Sequence, residues 1–281
     1  MNITGIDTLQ PFVSDLLKNR HYRSPKPIKP APFATLRYYK GIIGIILTSA
    51  WIARNGKFSN QDWINRSFHM IKLIEGIGGS IEVSGLENLA ERKGPVVIVS
   101  NHMSLLETFL LPCLIIPFTP MCVVIKKELT EYPGFGKTMS TVNHIAVTRD
   151  NPRADFRLVM EKGVEFLNGG VSVLIFPQST RNPVFLPSEF NTLGEKLAAK
   201  AGCSVIPVAV KTDLHGTGRL LKDFGAIDPN RPVRVAFGPP VDPQKEGRQT
   251  HDTILRYIGG QLRAWGLPVQ DAGPDAAPAV S

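Results

Sequence analysis

A histidine and a carboxylate stand five residues apart in the stretch VSNHMSLLET, residues 99–108. His102 follows an apolar run typical of a strand, and Glu107 lies in the first turn of a predicted helix. From that position a carboxylate can bond one imidazole nitrogen and fix the tautomer, which leaves the other nitrogen to accept a proton. Imidazole is suited to remove a proton from an alcohol at neutral pH. The pattern therefore predicts His102 as a general base and Glu107 as the group that orients it.

Helix capping is a second interpretation of Glu107. If the helix begins at Ser104, then Ser104 and Glu107 have the S-x-x-E spacing of a capping box, which involves no chemistry. Capping does not account for Asn101 and His102, which stand where a strand gives way to a loop. Ligands of α/β proteins gather at the carboxyl ends of strands, so the position of Asn101 and His102 indicates a functional site.

Cationic and hydroxyl side chains follow three other predicted strands. They are Lys126 and Lys127 after CVVI, Arg149 after HIAV, and Ser179, Thr180 and Arg181 within FPQSTR after VSVLI. A guanidinium group can bind a phosphate with two parallel hydrogen bonds. One charge at a strand end is usually solvated, but several cations close to one histidine favour an anion-binding site.

Runs rich in β-branched residues alternate with helical patterns from residue 81 onward. The predicted strands are Ile81–Val83, Val96–Val99, Cys122–Ile125, His144–Val147, Val171–Phe176, Val205–Val210 and Val233–Phe237. The predicted helices are Ser104–Ile116, Asp155–Leu167, Thr192–Ala201 and Thr250–Trp265. This alternation predicts an α/β fold, a mostly parallel sheet flanked by helices, with the candidate residues at the carboxyl ends of its strands.

The N-terminal part of the chain combines positive charge with apolar segments. Between residues 16 and 61 there are nine Lys or Arg and no Asp or Glu. The uncharged segment Gly41–Ala53 spans roughly 20 Å as a helix, too short for a bilayer core of roughly 30 Å. An amphipathic helix, Ser59–Gly76, follows it with a cap at Ser59 or Asn60. We expect a helical hairpin on an anionic membrane surface; two core helices beside a solvated basic arm are the alternative.

The composition is that of a globular protein with a bias towards anionic partners. The chain has 281 residues, 43% of them hydrophobic, with a mean hydropathy of -0.01 and a net charge of +8. Nucleic acid is not an expected partner, because no nucleic-acid-binding module accompanies the basic segment. The separated cysteines Cys113, Cys122 and Cys203 indicate buried, reduced thiols, and the N-terminus lacks the order of a secretory signal. We expect a peripheral or monotopic protein on the cytoplasmic face of the cell inner membrane.

Four motifs in order give the chain a resemblance to a known family. NHMSLLE is followed by a block from residues 132–136 to Arg149, then by FPQSTR and by VIPV at 205–208. The chain resembles the glycerolipid acyltransferases typified by 1-acyl-sn-glycerol-3-phosphate acyltransferases. That family carries NHxxxxD, a strand–loop block that ends in Arg, FPEGTR and a VIPV-like strand. The resemblance covers roughly residues 75–240.

The resemblance implies transfer of a fatty acyl group from acyl-CoA or acyl-carrier protein to the free hydroxyl of a lysophospholipid. The implied acceptor is 1-acyl-sn-glycerol-3-phosphate, and the product is phosphatidic acid. The donor is a substrate, and no cofactor or metal is expected. Arg181, Lys126 and Arg149 would hold the acceptor phosphate, and backbone N–H groups near Ser104, or Thr180, are candidates for an oxyanion hole.

Three positions depart from the family motifs, because Glu107 replaces Asp, Gln178 replaces Glu and Ser179 replaces Gly. They leave open an acceptor with another head group, such as a lyso-ornithine lipid, or a non-catalytic membrane lipid-binding protein with the same fold. A serine hydrolase is not expected, because the chain has no G-x-S-x-G sequence.

The patterns divide the chain into four segments. We predict a basic, Pro-rich arm at 1–35, the membrane-associating hairpin at 36–78, an α/β acyltransferase domain at 79–268 and a disordered tail at 269–281. Only the third segment holds the predicted catalytic and substrate-binding residues.

Overall fold

The structure is a computed structural model that describes residues 6–25, 29–56, 58–178, 180–216, 218 and 224–270. The helices in this part of the chain are α1 (Ile6–Asn19), α2 (Ala34–Arg54), α3 (Asn60–Gly76), α4 (Leu86–Ala90), α5 (Leu106–Ile115), α6 (Phe135–Met139), α7 (Pro152–Asn168), α8 (Leu193–Ala201), α9 (Pro243–Glu246) and α10 (Gln249–Ala264). The strands are β1 (Tyr22–Arg23), β2 (Ile81–Ser84), β3 (Val97–Ser100), β4 (Met121–Lys126), β5 (His144–Val147), β6 (Ser172–Ile175), β7 (Val205–Lys211) and β8 (Val233–Phe237).

All of these strands form one sheet in the order β1-β2-β8-β7-β3-β6-β4-β5. The strands from β7 through β3, β6 and β4 to β5 are parallel, whereas β8 is antiparallel to β7 and β1 is antiparallel to β2. Every residue of β3, β6 and β7 is buried, which is the pattern of central strands covered on both faces. The predicted α/β fold with a mostly parallel sheet flanked by helices is confirmed.

Two apolar layers hold the sheet between helices. On one face Ile98, Leu174 and Ile206 of the central strands pack with residues of α3 and α5. On the other face Val97, Val173 and Val205 of the same strands pack with residues of α7, α8 and α10. The alternation follows from the period-two geometry of a strand, and it places β3 in the middle of both layers.

Several helix starts differ from the sequence prediction. Helix α5 begins at Leu106, not at Ser104. Helix α7 begins at Pro152, earlier than predicted, because Asn151 caps it by accepting a bond from Ala154 N and proline suits the first helical turn. The short helices α4, α6 and α9 and the helix α1 were not predicted.

Part of the segment predicted as a basic arm is built into the fold. Leu9, Phe12 and Leu16 of α1 are buried in the core, and the Phe12 ring lies 4.5 Å from that of Phe68 in α3. Strand β1 adds to the edge of the sheet by pairing with β2. The predicted tail lies outside the described residues from 271 onward.

The two helices of the predicted hairpin have different surroundings. The predicted cap of α3 at Ser59 is confirmed, and it forms a capping box with Asp62. Most apolar residues of α3 are buried, and its Ser67 hydroxyl donates to Phe109 O and accepts from Cys113 N, which bridges the break that Pro112 makes in α5. Helix α2 instead keeps an apolar face exposed. Within the described residues, no helix has the length and hydropathy needed to cross a bilayer.

Candidate active site

The predicted dyad is formed at the carboxyl end of β3. His102 stands two residues after the strand, and its Nδ1 lies 2.9 Å from Glu107 Oε1. The His102 side chain is 11% exposed and Glu107 is fully buried. Among the described residues, the other imidazole nitrogen, Nε2, has no hydrogen-bond partner. The histidine is therefore held at one nitrogen and open at the other, as a general base requires.

Glu107 is the centre of a dense hydrogen-bond network. Its Oε1 also accepts from Met103 N at 2.6 Å and from Ser104 N at 2.8 Å. Its Oε2 accepts from Ser104 Oγ at 3.0 Å and from Thr212 Oγ1 at 2.7 Å. Burial acts to raise the pKa of Glu107, but the hydrogen bonds from His102, Thr212 and Ser104 outweigh it and hold the pKa below its ordinary value. The carboxylate is thus ionised at neutral pH.

Glu107 contacts His102, and it also makes part of the expected capping interaction. It reaches back to the Ser104 N–H, which is one half of the expected capping box. The other half is absent, because Ser104 Oγ accepts from Leu106 N and the helix starts at Leu106. The N–H groups of Met103 and Ser104 both donate to Glu107, so these two backbone donors are engaged within the loop.

The loop after β6 encloses the backbone of His102. Gln178, which is buried, accepts from His102 N through Oε1 at 2.9 Å, and Asn182 N donates to His102 O at 2.9 Å. The Phe176 ring is stacked on the imidazole, with centroids 4.3 Å apart. Arg181 directly precedes Asn182 in the sequence, and it is half-buried. Gln178, one of the departures from the family motif, therefore contacts the backbone of His102 directly.

The predicted substrate-binding residues are not equally close to His102. Arg181 follows β6, the neighbour of β3, whereas Lys126 ends β4 and Arg149 follows β5, two and three strands away. With a strand spacing near 4.8 Å, these backbones are about 10 Å and about 14 Å from β3. Lys126 also pairs with Glu128 at 2.5 Å, and Arg149 is exposed with a left-handed φ of 67°. Thr180 is exposed, and Ser179 lies outside the described residues.

Several residues that support the site were not among the predicted catalytic or substrate-binding residues, although the sequence pattern had singled out Asn101. The Asn101 side chain donates to Val210 O at 2.9 Å and accepts from Val210 N at 2.8 Å, which ties the end of β3 to β7. Thr212, Phe176 and Gln178 also touch the dyad. Each follows a buried strand at the same sheet edge, and this was the available signal. Among the described residues, no three His, Cys, Asp or Glu side chains are grouped so that they could hold a metal ion.

Comparisons with known proteins identify related enzymes. The family model for acyltransferases matches residues 80–211. A 1-acyl-sn-glycerol-3-phosphate acyltransferase of Pseudomonas aeruginosa is 34% identical over 209 residues, which are 74% of this chain and 75% of that protein. The enzyme of the same name from Saccharomyces cerevisiae is 29% identical over 181 residues, 61% of this chain and 55% of that protein.

A solved structure shares the fold. The 1-acyl-sn-glycerophosphate acyltransferase PlsC of Thermotoga maritima superimposes with a TM-score of 0.62 over 85% of this chain and 97% of that chain, at 18% identity. At this identity the likeness concerns the fold, whereas the Pseudomonas relative establishes the family. The chain belongs to the glycerolipid acyltransferase family of the 1-acyl-sn-glycerol-3-phosphate acyltransferases, and it is an acyltransferase.

Proposed function

We propose that the chain transfers a fatty acyl group from acyl-CoA or acyl-carrier protein to the free hydroxyl of 1-acyl-sn-glycerol-3-phosphate, giving phosphatidic acid. The observation that carries this proposal is the 2.9 Å bond between His102 Nδ1 and Glu107 Oε1, which leaves Nε2 for the acceptor. The relative from Pseudomonas aeruginosa, whose name states this acceptor, supports the choice of substrate.

In the proposed reaction the acceptor oxygen attacks the thioester carbonyl carbon while its proton passes to His102 Nε2. The tetrahedral intermediate then collapses, the C–S bond breaks and the new ester remains. The leaving thiolate takes up the proton from the imidazolium. No acyl-enzyme is needed, because the acceptor itself is the nucleophile. Glu107 holds the imidazole in the tautomer with hydrogen on Nδ1 and stabilises the transient positive charge.

The substrate assignment is tested with purified protein, both acyl donors and a panel of lysolipids that includes lysophosphatidic acid and a lyso-ornithine lipid, with products identified by mass. We expect phosphatidic acid to be the main product. Preferential acylation of another lysolipid would replace the acceptor and keep the mechanism. A protein that binds lysolipids and acylates none of them would contradict the proposed function.

Arg181 is proposed to bind the acceptor phosphate, because its backbone is joined to that of His102 through Asn182. A hydrogen bond to a charged group contributes about 1.5–3 kcal/mol, so Arg181→Ala should raise the KM for lysophosphatidic acid roughly 10- to 100-fold. The KM for acyl-CoA should stay within about twofold, since the donor does not share this contact. Initial rates at varied acceptor and donor measure both constants.

A matched control is Arg231→Ala, which removes an exposed arginine that pairs with Asp228 and Asp213. It should leave both Michaelis constants unchanged. An unaltered acceptor KM in Arg181→Ala would remove this residue from phosphate binding.

We further propose that α2 holds the protein on the cytoplasmic face of an anionic membrane. The helix exposes apolar side chains at helical spacing: Leu36, Ile43, Leu47 and Trp51. Phe33, which directly precedes the helix, is exposed as well. The exposed cations Arg37, Lys40 and Arg54 belong to the same helix, which contains no acidic residue. Apolar side chains beside cations are the chemistry that recognises an anionic bilayer, where both lysolipid and product reside.

Charge on this face should weaken membrane binding. The double substitution Leu47→Glu and Trp51→Glu places two carboxylates at positions where the side chains are 61% and 70% exposed. It should therefore change the stability of the fold little. We expect a several-fold smaller fraction to sediment with vesicles of phosphatidylcholine and phosphatidylglycerol. Leu17→Glu, at an exposed leucine of α1, is the control and should bind as the parent does. Equal binding by parent and double variant would contradict the surface.

A further inference from the structure

Thr212 is a buried hydroxyl residue at the carboxyl end of β7 that none of the family motifs includes. It follows Lys211, the last residue of the strand, and its side chain is fully buried. Its Oγ1 donates a 2.7 Å hydrogen bond to Glu107 Oε2. We propose that Thr212 is a positioning residue for acyl transfer: it fixes the Glu107 carboxylate and, through it, the tautomer and orientation of His102. This inference rests on the proposed function of the dyad.

Thr212 differs from the other donors to Glu107 in where it comes from. The bonds from His102 Nδ1, Met103 N, Ser104 N and Ser104 Oγ all start within residues 102–104, so these groups move together with the loop. Thr212 is 105 positions away in the sequence and directly follows β7, the strand that pairs with β3. Among the described residues, it alone ties the carboxylate directly to the sheet.

The hydroxyl groups around Oε2 form a compact cluster. Leu106 N donates to Ser104 Oγ at 3.1 Å, and Ser104 Oγ lies 3.0 Å from both Glu107 Oε2 and Thr212 Oγ1, so its one hydrogen is shared between these two acceptors. Thr212 also has one hydroxyl hydrogen, and its shortest acceptor is Glu107 Oε2. The Thr212 N–H adds a second tie to the loop through Met103 Sδ at 3.3 Å.

The hydrogen bond from Thr212 affects the ionisation of Glu107 as well as its position. Burial acts to raise the pKa of Glu107, and the Thr212 bond is one of the interactions that hold it low. The titratable groups that act on this carboxylate are His102 and, from α2, Tyr38, whose phenol pKa is raised by burial, by Tyr39 and by Glu107 itself. Because Tyr38 stays neutral, we expect the loss of the Thr212 hydrogen bond to affect Glu107 and its partner His102.

Thr212→Val tests the proposal because valine has nearly the shape of threonine without the hydroxyl. We expect kcat to fall about tenfold, with the KM values for acceptor and donor within about twofold of the parent. Loss of the donor raises the pKa of Glu107, so the acid limb of the pH–rate profile should move to higher pH. Thr212→Ser keeps a hydroxyl and should restore both the rate and the profile. A parental rate and profile in Thr212→Val overturn the proposal.

A double-mutant cycle with Glu107→Gln distinguishes a positioning role of Thr212 from a purely structural one. If Thr212 acts through the charge of Glu107, then Thr212→Val should cost much less than tenfold in the Gln background. If Thr212→Val lowers kcat by the same factor in both backgrounds, or by the same factor at every pH, the cause is a loss of packing. Either result would overturn the proposal. Thr212→Ala replaces Thr212→Val in the same cycle if the valine protein does not fold.

A readout without substrate distinguishes this inference from the proposed function. The ¹⁵N NMR signals of the His102 ring report which nitrogen carries the proton. Thr212→Val should lower the share of the Nδ1–H tautomer relative to the parent and to Thr212→Ser. This shift should be seen even if the protein acylates none of the lysolipids tested; an unchanged ring spectrum would overturn the positioning role.

Discussion

His102→Ala is expected to lower kcat for acyl transfer roughly 10²–10⁴-fold, the range that a positioned general base contributes. The imidazole is the group at the carboxyl edge of the sheet that can take the acceptor proton, because its Nδ1 is engaged by Glu107 and its Nε2 is open. The variant should remain folded. The lost contacts are one of five hydrogen bonds to Glu107 and the stacking on Phe176, and the side chain is partly exposed. Initial rates and thermal unfolding of the same preparation check both statements.

The chain offers a matched control for this experiment. His251 in α10 pairs with Glu195 in α8 through Nδ1 at 3.0 Å, a geometry close to that of the dyad, but neither residue contacts the groups around His102. His251→Ala should therefore leave kcat within about twofold. If His102→Ala and His251→Ala retain equal activity, the dyad has no part in the mechanism.

The body of the fold was predictable because its main elements are encoded locally. Strands buried on both faces read as short apolar runs, and β3, β6 and β7 fall where such runs occur. Helix α1 was missed because its burial depends on distant partners: Leu9, Phe12 and Leu16 join the core that contains α3. The predicted hairpin began at residue 36 and its uncharged run was Gly41–Ala53, whereas α2 begins at Ala34 and includes the mixed polar and apolar residues before that run. Tyr38 is buried there, near His215, a contact that no local pattern predicts.

The site was predictable to the extent that its parts share a short stretch of chain. The pair of His102 and Glu107 is five residues apart, so the reach of a first-turn carboxylate could be inferred from spacing alone. The arrangement of the predicted cations depends on the strand order, which the sequence does not show. In the order β3-β6-β4-β5, Arg181 follows the strand beside β3, whereas Arg149 follows a strand three positions away. Thr212 was missed for the same reason, since only the pairing of β7 with β3 brings it to Glu107.

Glu107→Gln is the substitution that separates catalysis from helix capping, and we expect it to lower kcat roughly 10²-fold, since removing one electrostatic partner of a transition state has effects of this order. Glutamine keeps an oxygen that can accept from the N–H groups of Met103 and Ser104. Its amide nitrogen would meet the hydroxyls of Ser104 and Thr212, which can turn to accept. The contacts that order the loop therefore survive while the charge that stabilises the imidazolium is lost.

The difference in stability between the parent and Glu107→Gln should depend on pH. Because the folded protein holds the pKa of Glu107 below its ordinary value of 4.5, ionised Glu107 contributes stability above that pH, and the contribution is lost as pH falls through the folded-state pKa. Chemical unfolding should thus show a parent that is modestly more stable than Glu107→Gln at pH 7, with a difference that narrows under acidic conditions. Glu195→Gln, at the control pair, should keep the parental rate. A Glu107→Gln enzyme with parental activity would reduce Glu107 to a cap and leave His102 without its orienting group.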